Sequence, residues 1–85
     1  MAKIEIYTAS MCPFCTRAVR LLNSKNQSFE QIDVTANRDL RQKMSSRAGG
    51  RTSVPQIFIN GDYIGDCDEI HKLDRLGHLD KLLVS

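Results

Sequence analysis

Two alternating rhythms of apolar residues run along this chain, and their order predicts its architecture. From Lys3 to Thr8, Ile4 and Ile6 alternate with charged neighbours, the period of a strand. From Pro13 to Lys25 the rhythm changes. Phe14, Ala18, Leu21 and Leu22 recur at i, i+4, i+7 and i+8, an inward helical face, and Arg17 and Arg20 fall on other faces. Proline suits the first helical position because its missing N–H has no partner there anyway. Lys25-Asn26 ends this helix. A second strand is predicted over Ser28–Val34, where Ile32 and Val34 alternate with Gln31 and Asp33.

The second half repeats the scheme. Leu40, Met44 and Ala48 form the buried stripe of a helix over Asn37–Arg47, and Gly49-Gly50 stops it. Gln56–Ile59 and Asp62–Gly65 read as strands joined by Asn60-Gly61, a hairpin turn pair. A third helix starts at Asp66 or Cys67, with Asp66 and Glu69 at capping-box spacing. Its inward face is Ile70, Leu73 and Leu76, and Gly77 ends it. A last helical turn or two covers His78 to Val84, with Leu79, Leu82 and Leu83 apolar. The order is β-α-β-α-β-β-α-α. A βαβ unit makes the first two strands parallel through a right-handed crossover, and the hairpin adds an antiparallel pair. The expected fold is α/β, a four-stranded mixed sheet flanked by helices.

Composition narrows the function. The 85 residues predict one domain over 1–85, with a modest core. An apolar fraction of 41% and a charged fraction of 26% are those of a globular domain. A net charge of +2 without a block of like charges argues against nucleic acid. Lys3 and Glu5 interrupt the first apolar residues and no h-region follows, so no signal peptide is expected. No run approaches a membrane span. Three cysteines are an odd number, unlike a secreted disulfide scaffold, and the cytoplasm is the expected compartment.

Chemistry concentrates at Cys12-Pro13-Phe14-Cys15, between the first strand and the first helix. A Cys-x-x-Cys at such a junction reads as a thioredoxin-like redox motif. A sulfur at a helix N-terminus meets unpaired N–H groups and the positive end of the helix dipole, and both favour thiolate, the nucleophile. The alternatives are two inert core cysteines or half of a zinc site. For zinc, Cys67, His71 and His78 supply the only further cysteine and histidines, without a second paired knuckle.

With that motif placed, nearly the whole chain resembles the short bacterial dithiol glutaredoxins. Cys12-Pro13-Phe14-Cys15 is similar to the family's Cys-Pro-Tyr-Cys. Ser53-Val54-Pro55-Gln56-Ile57-Phe58-Ile59-Asn60-Gly61 is similar to its Thr-Val-Pro segment with the strand and turn that follow. Gly65-Asp66-Cys67-Asp68 is similar to its Gly-Gly-Cys-Asp. The resemblance implies a thioredoxin-like fold and a glutathione-dependent thiol–disulfide oxidoreductase. In that role Cys12 is the nucleophile and Cys15 resolves protein disulfides. Pro55 is cis, and Val54 offers its backbone to the cysteinyl part of glutathione as a short strand pairing. The N–H groups of Cys67 and Asp68 hold the γ-glutamyl carboxylate, as helix N-termini hold anions, and Asp68 also faces the ammonium. Phe14 shields the mixed disulfide, and Ser53 stands at the head of the segment. Arg51 or Arg47 is a candidate for the glycyl carboxylate, the alternative for each being a solvated face.

The same resemblance implies no tightly bound cofactor, with glutathione as co-substrate. Its partners are disulfide-bearing or glutathionylated proteins, ribonucleotide reductase among them, and the state is a monomer. Four positions depart from the family pattern: Ala9 for a lysine, Phe14 for tyrosine, Ser53 for threonine and Asp66 for glycine. An alternative is a glutathione-ligated iron–sulfur cluster carrier, against which Pro13 and the intact Cys15 speak. Others are a non-catalytic binding module of thioredoxin shape, and thioredoxin itself. Thioredoxins are longer and carry Trp before Cys-Gly-Pro-Cys, whereas this chain has no Trp.

Overall fold

A computed structural model describes residues 2–84. Its elements are β1 (Ile4–Thr8), α1 (Pro13–Ser24), β2 (Glu30–Asp33), α2 (Arg38–Arg47), β3 (Gln56–Ile59), β4 (Asp62–Gly65), α3 (Cys67–Arg75) and α4 (His78–Leu83). The sheet order is β2-β1-β3-β4. β1 pairs parallel with β2, antiparallel with β3, and β3 pairs antiparallel with β4. This is the predicted mixed sheet in the predicted order, a thioredoxin-like fold. β2 is shorter than expected. It lies at the sheet edge, and its register on β1 runs from Glu30 opposite Glu5 to Asp33 opposite Thr8.

Alternation along the central strands divides the core between the two sheet faces. Ile4, Ile6, Ile57 and Ile59 point to one face. There they pack with Ala18 and Leu22 of α1, Cys67 and Ile70 of α3, and Leu79 and Leu83 of α4. Tyr7 and Phe58 point the other way, against Met44 of α2 and Ala48 just beyond it. Lys25, at the end of α1, reaches Asp74 of α3 at 2.6 Å and Asp80 of α4 at 2.9 Å, tying the three helices together on their face.

Two inward assignments are corrected. Phe14 is 53% exposed, and Cys15, one residue on, takes the inward position beside Ala18 and Leu22. The helix begins at Pro13, and at about 100° per residue the Cys15 side chain, not its neighbour's, turns to the sheet. Leu76 is exposed because it is the cap residue after the last turn of α3.

Arg47 neither lies on a solvated face nor turns toward the active site. Its guanidinium forks onto both carboxylate oxygens of Glu5, at 3.0 and 3.2 Å, and donates to the Tyr7 hydroxyl at 2.9 Å. It also stacks 4.0 Å from the Phe58 ring centre. The bidentate pairing holds the Glu5 carboxyl below its ordinary range. Among the described residues no helix is long and apolar enough to cross a membrane.

Candidate active site

Cys12 is the N-cap of α1. Proline at N1 sets the preceding residue as the cap, in extended conformation, and here that residue carries sulfur instead of a hydroxyl. The Cys15 backbone N–H donates to Cys12 Sγ at 3.2 Å. A negative charge on that sulfur therefore has a directed donor as well as the helix end. The Cys12 thiol lies 3.8 Å from the Val54 carbonyl oxygen, to which it donates when protonated. Cys12 is partly exposed, and all three cysteines are free thiols.

Cys15 sits one turn inside the helix and is 3% exposed. Burial, and next its hydrogen bond with Cys12, push its thiol up to about 12. At neutral pH Cys15 therefore holds its proton. Burial also pushes the Cys67 thiol up, although Arg17 partly offsets this. His71 does face Cys67, as a spacing of four requires. Its Nδ1 lies 2.8 Å from the Cys67 carbonyl oxygen and 3.5 Å from the sulfur. Among the described residues no three His, Cys, Asp or Glu side chains are grouped to hold a metal ion.

Six residues that the sequence singled out as a binding set converge. Phe14, Ser53, Val54, Pro55, Cys67 and Asp68 line one groove of about 180 Å³, together with Asp66. The Val54–Pro55 peptide is cis, as the family resemblance implied. Asp66 caps α3: its Oδ1 accepts from the Glu69 N–H at 3.0 Å, the expected half of a capping box. Its Oδ2 approaches Arg51 at 3.8 Å, so the departure from glycine places a carboxylate on the groove lining and beside an arginine. Gly65, just before it, has φ +136, and a Cβ there would stand 2.6 Å from Glu69 Cβ. Only glycine lets β4 turn this closely into α3.

One part of the site was not anticipated. Gln56 is fully buried at the start of β3. Its Nε2 donates to the Ser53 carbonyl at 2.9 Å and the Ser53 hydroxyl at 3.3 Å. The Tyr63 hydroxyl donates to Gln56 Oε1 at 2.6 Å, and Arg51 donates to that hydroxyl at 3.3 Å. This chain of bonds holds the Ser53–Pro55 segment from behind. The signal for it lay in the sequence: an amide in an otherwise wholly apolar strand must find partners once buried.

Comparison with known proteins agrees with the geometry. The Glutaredoxin family profile matches residues 4–64. A probable glutaredoxin of Synechocystis sp. is 50% identical over 84 residues, covering 99% of this chain and 96% of that protein. Glutaredoxin 3 of Escherichia coli is 49% identical over 83 residues, covering 98% and 99%. The solution structure of glutaredoxin from Brucella melitensis superposes with a TM-score of 0.86 at 43% identity, covering 98% of this chain and 89% of that one. A partly exposed sulfur capping a helix, a buried second thiol one turn behind it and this agreement over nearly the full length lead to one conclusion: the chain belongs to the glutaredoxin family of thiol–disulfide oxidoreductases.

Proposed function

We propose that glutathione is the reductant and that it binds in the groove beside Cys12. The observation that carries this reading is the convergence of Phe14, Ser53–Pro55 and Cys67–Asp68 on one cleft whose Val54 wall touches the reactive sulfur. A tripeptide is mostly backbone, so the Val54 edge suits it as a short strand pairing. The first N–H groups of α3 suit its γ-glutamyl carboxylate, with Asp68 near the ammonium. Arg51 is the candidate for the glycyl carboxylate. It now answers to Tyr63 and Asp66, so the glycyl group competes with Asp66 for it.

On a glutathionylated protein, Cys12 thiolate attacks the glutathione sulfur. The Cys12–glutathione disulfide forms, and the protein leaves as a thiolate that takes a proton. A second glutathione thiolate attacks the same glutathione sulfur, releasing oxidised glutathione and restoring Cys12. On a protein disulfide, Cys12 thiolate attacks one substrate sulfur, forming a Cys12–substrate disulfide and releasing the other substrate sulfur as a thiolate. Cys15 then loses its proton and attacks Cys12 Sγ, expelling the second substrate thiolate, and each thiolate takes up a proton. Glutathione then reduces the Cys12–Cys15 disulfide. The protein works as a cytoplasmic monomer, with glutathionylated and disulfide-bearing proteins as partners.

The test is turnover on the mixed disulfide of glutathione and 2-mercaptoethanol, with glutathione, glutathione reductase and NADPH. Sustained turnover is expected, with the Cys12–Cys15 couple at roughly −200 to −230 mV. Turnover that requires thioredoxin reductase instead, or a potential near about −270 mV, would assign a thioredoxin-type role. Visible absorbance of a cluster in freshly purified protein would assign the carrier role.

A further inference from the structure

Cys12 and Cys15 line a second cleft, of about 530 Å³, that shares no residue with the groove described above. Ala9, Met11 and Val19 supply its apolar surface, and the rest is neutral: no Asp, Glu, Lys, Arg or His lines it. Gln31 of the edge strand lies at its border. Met11 stands at the rim. It is 100% exposed, and its φ of +55 is a left-handed conformation that bulky residues seldom adopt. A flexible thioether held in water beside a nucleophile is an unusual use of an apolar side chain, and it adapts readily to an irregular apolar partner.

The geometry points to a docking cleft for the polypeptide beside a substrate protein's disulfide, taking an uncharged, apolar side chain next to the substrate cysteine. Two observations select this occupant. Both redox cysteines line the cleft, so a chain segment seated in it lies beside the sulfur that exchanges with the substrate disulfide. The lining offers no charged partner, so a free tripeptide with two carboxylates and an ammonium would lose hydration there with nothing in return. An apolar side chain gains by the same burial. The Ala9 departure contributes, because a lysine at that position would put a charge on the cleft wall.

The reaction at this site balances. Cys12 thiolate attacks one substrate sulfur, forming the interprotein disulfide and releasing the other substrate sulfur as a thiolate. Cys15 gives up its proton and attacks Cys12 Sγ, forming the Cys12–Cys15 disulfide and expelling the docked segment as its thiolate. Each released thiolate takes up a proton. The substrate disulfide is reduced by two electrons and the enzyme dithiol is oxidised by two.

The proposal needs only the dithiol exchange, so glutathione is left out of the assay and its own binding mode cannot decide the result. Pre-reduced protein is mixed in single turnover with two short synthetic peptides, each closed by one disulfide. One carries leucine beside its cysteines and the other serine. The leucine peptide is expected to react about tenfold faster. Met11→Asn suits the left-handed backbone. Val19→Thr keeps the shape but sets a hydroxyl beside the core that Val19 packs against, so a melting curve for each variant accompanies the rates. Each is expected to cut the preference to about threefold or less, by slowing the leucine peptide alone. Equal rates for the two peptides with the unaltered protein would overturn the proposal, as would variants that slow both peptides alike. So would shifts of the Ala9 and Val19 amide resonances when glutathione is added to Cys12→Ser protein, which would give the cleft to glutathione.

Discussion

The two clefts beside Cys12 are built on opposite principles. The groove at Ser53–Pro55 and α3 is small, carries two carboxylates and is braced by the hydrogen-bond chain through Gln56 and Tyr63. The cleft at Ala9, Met11 and Val19 is roomier, uncharged and shaped by apolar side chains. Directional bonds hold a wall in one arrangement, which suits recognition of one small charged peptide. Apolar surface tolerates many shapes, which suits a reductant of diverse proteins. One sulfur can therefore serve one small charged partner on one side and a broad class of apolar-flanked disulfides on the other.

Removing the second thiol should separate the two sides most sharply. Cys15→Ser is expected to lower protein-disulfide reduction by roughly 100-fold or more, since the intramolecular thiol acts at high effective concentration. It should leave reduction of the glutathione mixed disulfide largely intact, because that route needs only Cys12 and a second glutathione. Parallel kinetics on the two substrates check this, and equal loss on both would merge the two sides into one site.

The bracing should matter only to the charged groove. Gln56→Leu leaves the Tyr63 hydroxyl and the Ser53 carbonyl without their shared partner, at a cost of about 1–3 kcal/mol in stability. The KM for glutathione is expected to rise about tenfold while the single-turnover rate with peptide disulfides stays within about twofold. A fall in both would show that the Ser53–Pro55 segment supports the whole site.

The buried thiol facing the uncharged cleft should give the reduced protein an alkaline limit. Folding holds the Cys15 proton up to about 12, against an ordinary 9.0. Its contribution is complete below about 9, where both states are protonated. It declines as pH rises from there toward 12, because the unfolded chain releases its proton first. Urea melts of the reduced protein between pH 8 and 10.5 are expected to show that decline, and Cys15→Ser to flatten it. A slope unchanged by the substitution would place the alkaline sensitivity elsewhere.

The smallest effect is expected at the groove mouth. Asp66→Asn keeps an N-cap oxygen for the Glu69 N–H and removes the charge that faces Arg51. Glutathione affinity should rise about two- to threefold, the scale of a screened surface charge. Asp66→Gly should raise affinity as much and lower the melting temperature slightly, since glycine as cap costs only a few tenths of a kcal/mol. Steady-state kinetics across glutathione concentrations beside a melting curve decide it. Unchanged or weaker affinity would mean that Asp66 helps to bind the ammonium.

Much of this comparison is legible in the residues before any coordinates. Period and punctuation place the elements: Asn60-Gly61 bounds β3 and β4 at their observed ends, and Asp66 caps α3 through its side chain, whereas Asn37, read as the first residue of α2, is its cap. The groove residues are legible through three motifs. What stays hidden depends on contacts between distant segments. Arg47 finds Glu5 and Phe58 only after α2 packs on its sheet face. The uncharged cleft needs Met11, Val19 and Gln31, which no motif joins. Phe14 and Cys15 differ by one position on a helix whose starting angle the period alone leaves open.

Gly65 and Asp66 carry a last consequence, for how such a site can be varied over time. The first position is locked by sterics, because any side chain strikes Glu69 and adopts a backbone angle suited to glycine. The second is open, its side chain accepting from the Glu69 N–H as a cap and approaching Arg51. Adjacent residues thus divide into a fixed hinge and an adjustable dial. Random substitution at the pair would return glycine alone at the first and a graded series of glutathione affinities at the second, so this reductant can be retuned one residue from its fold's narrowest point without disturbing that point.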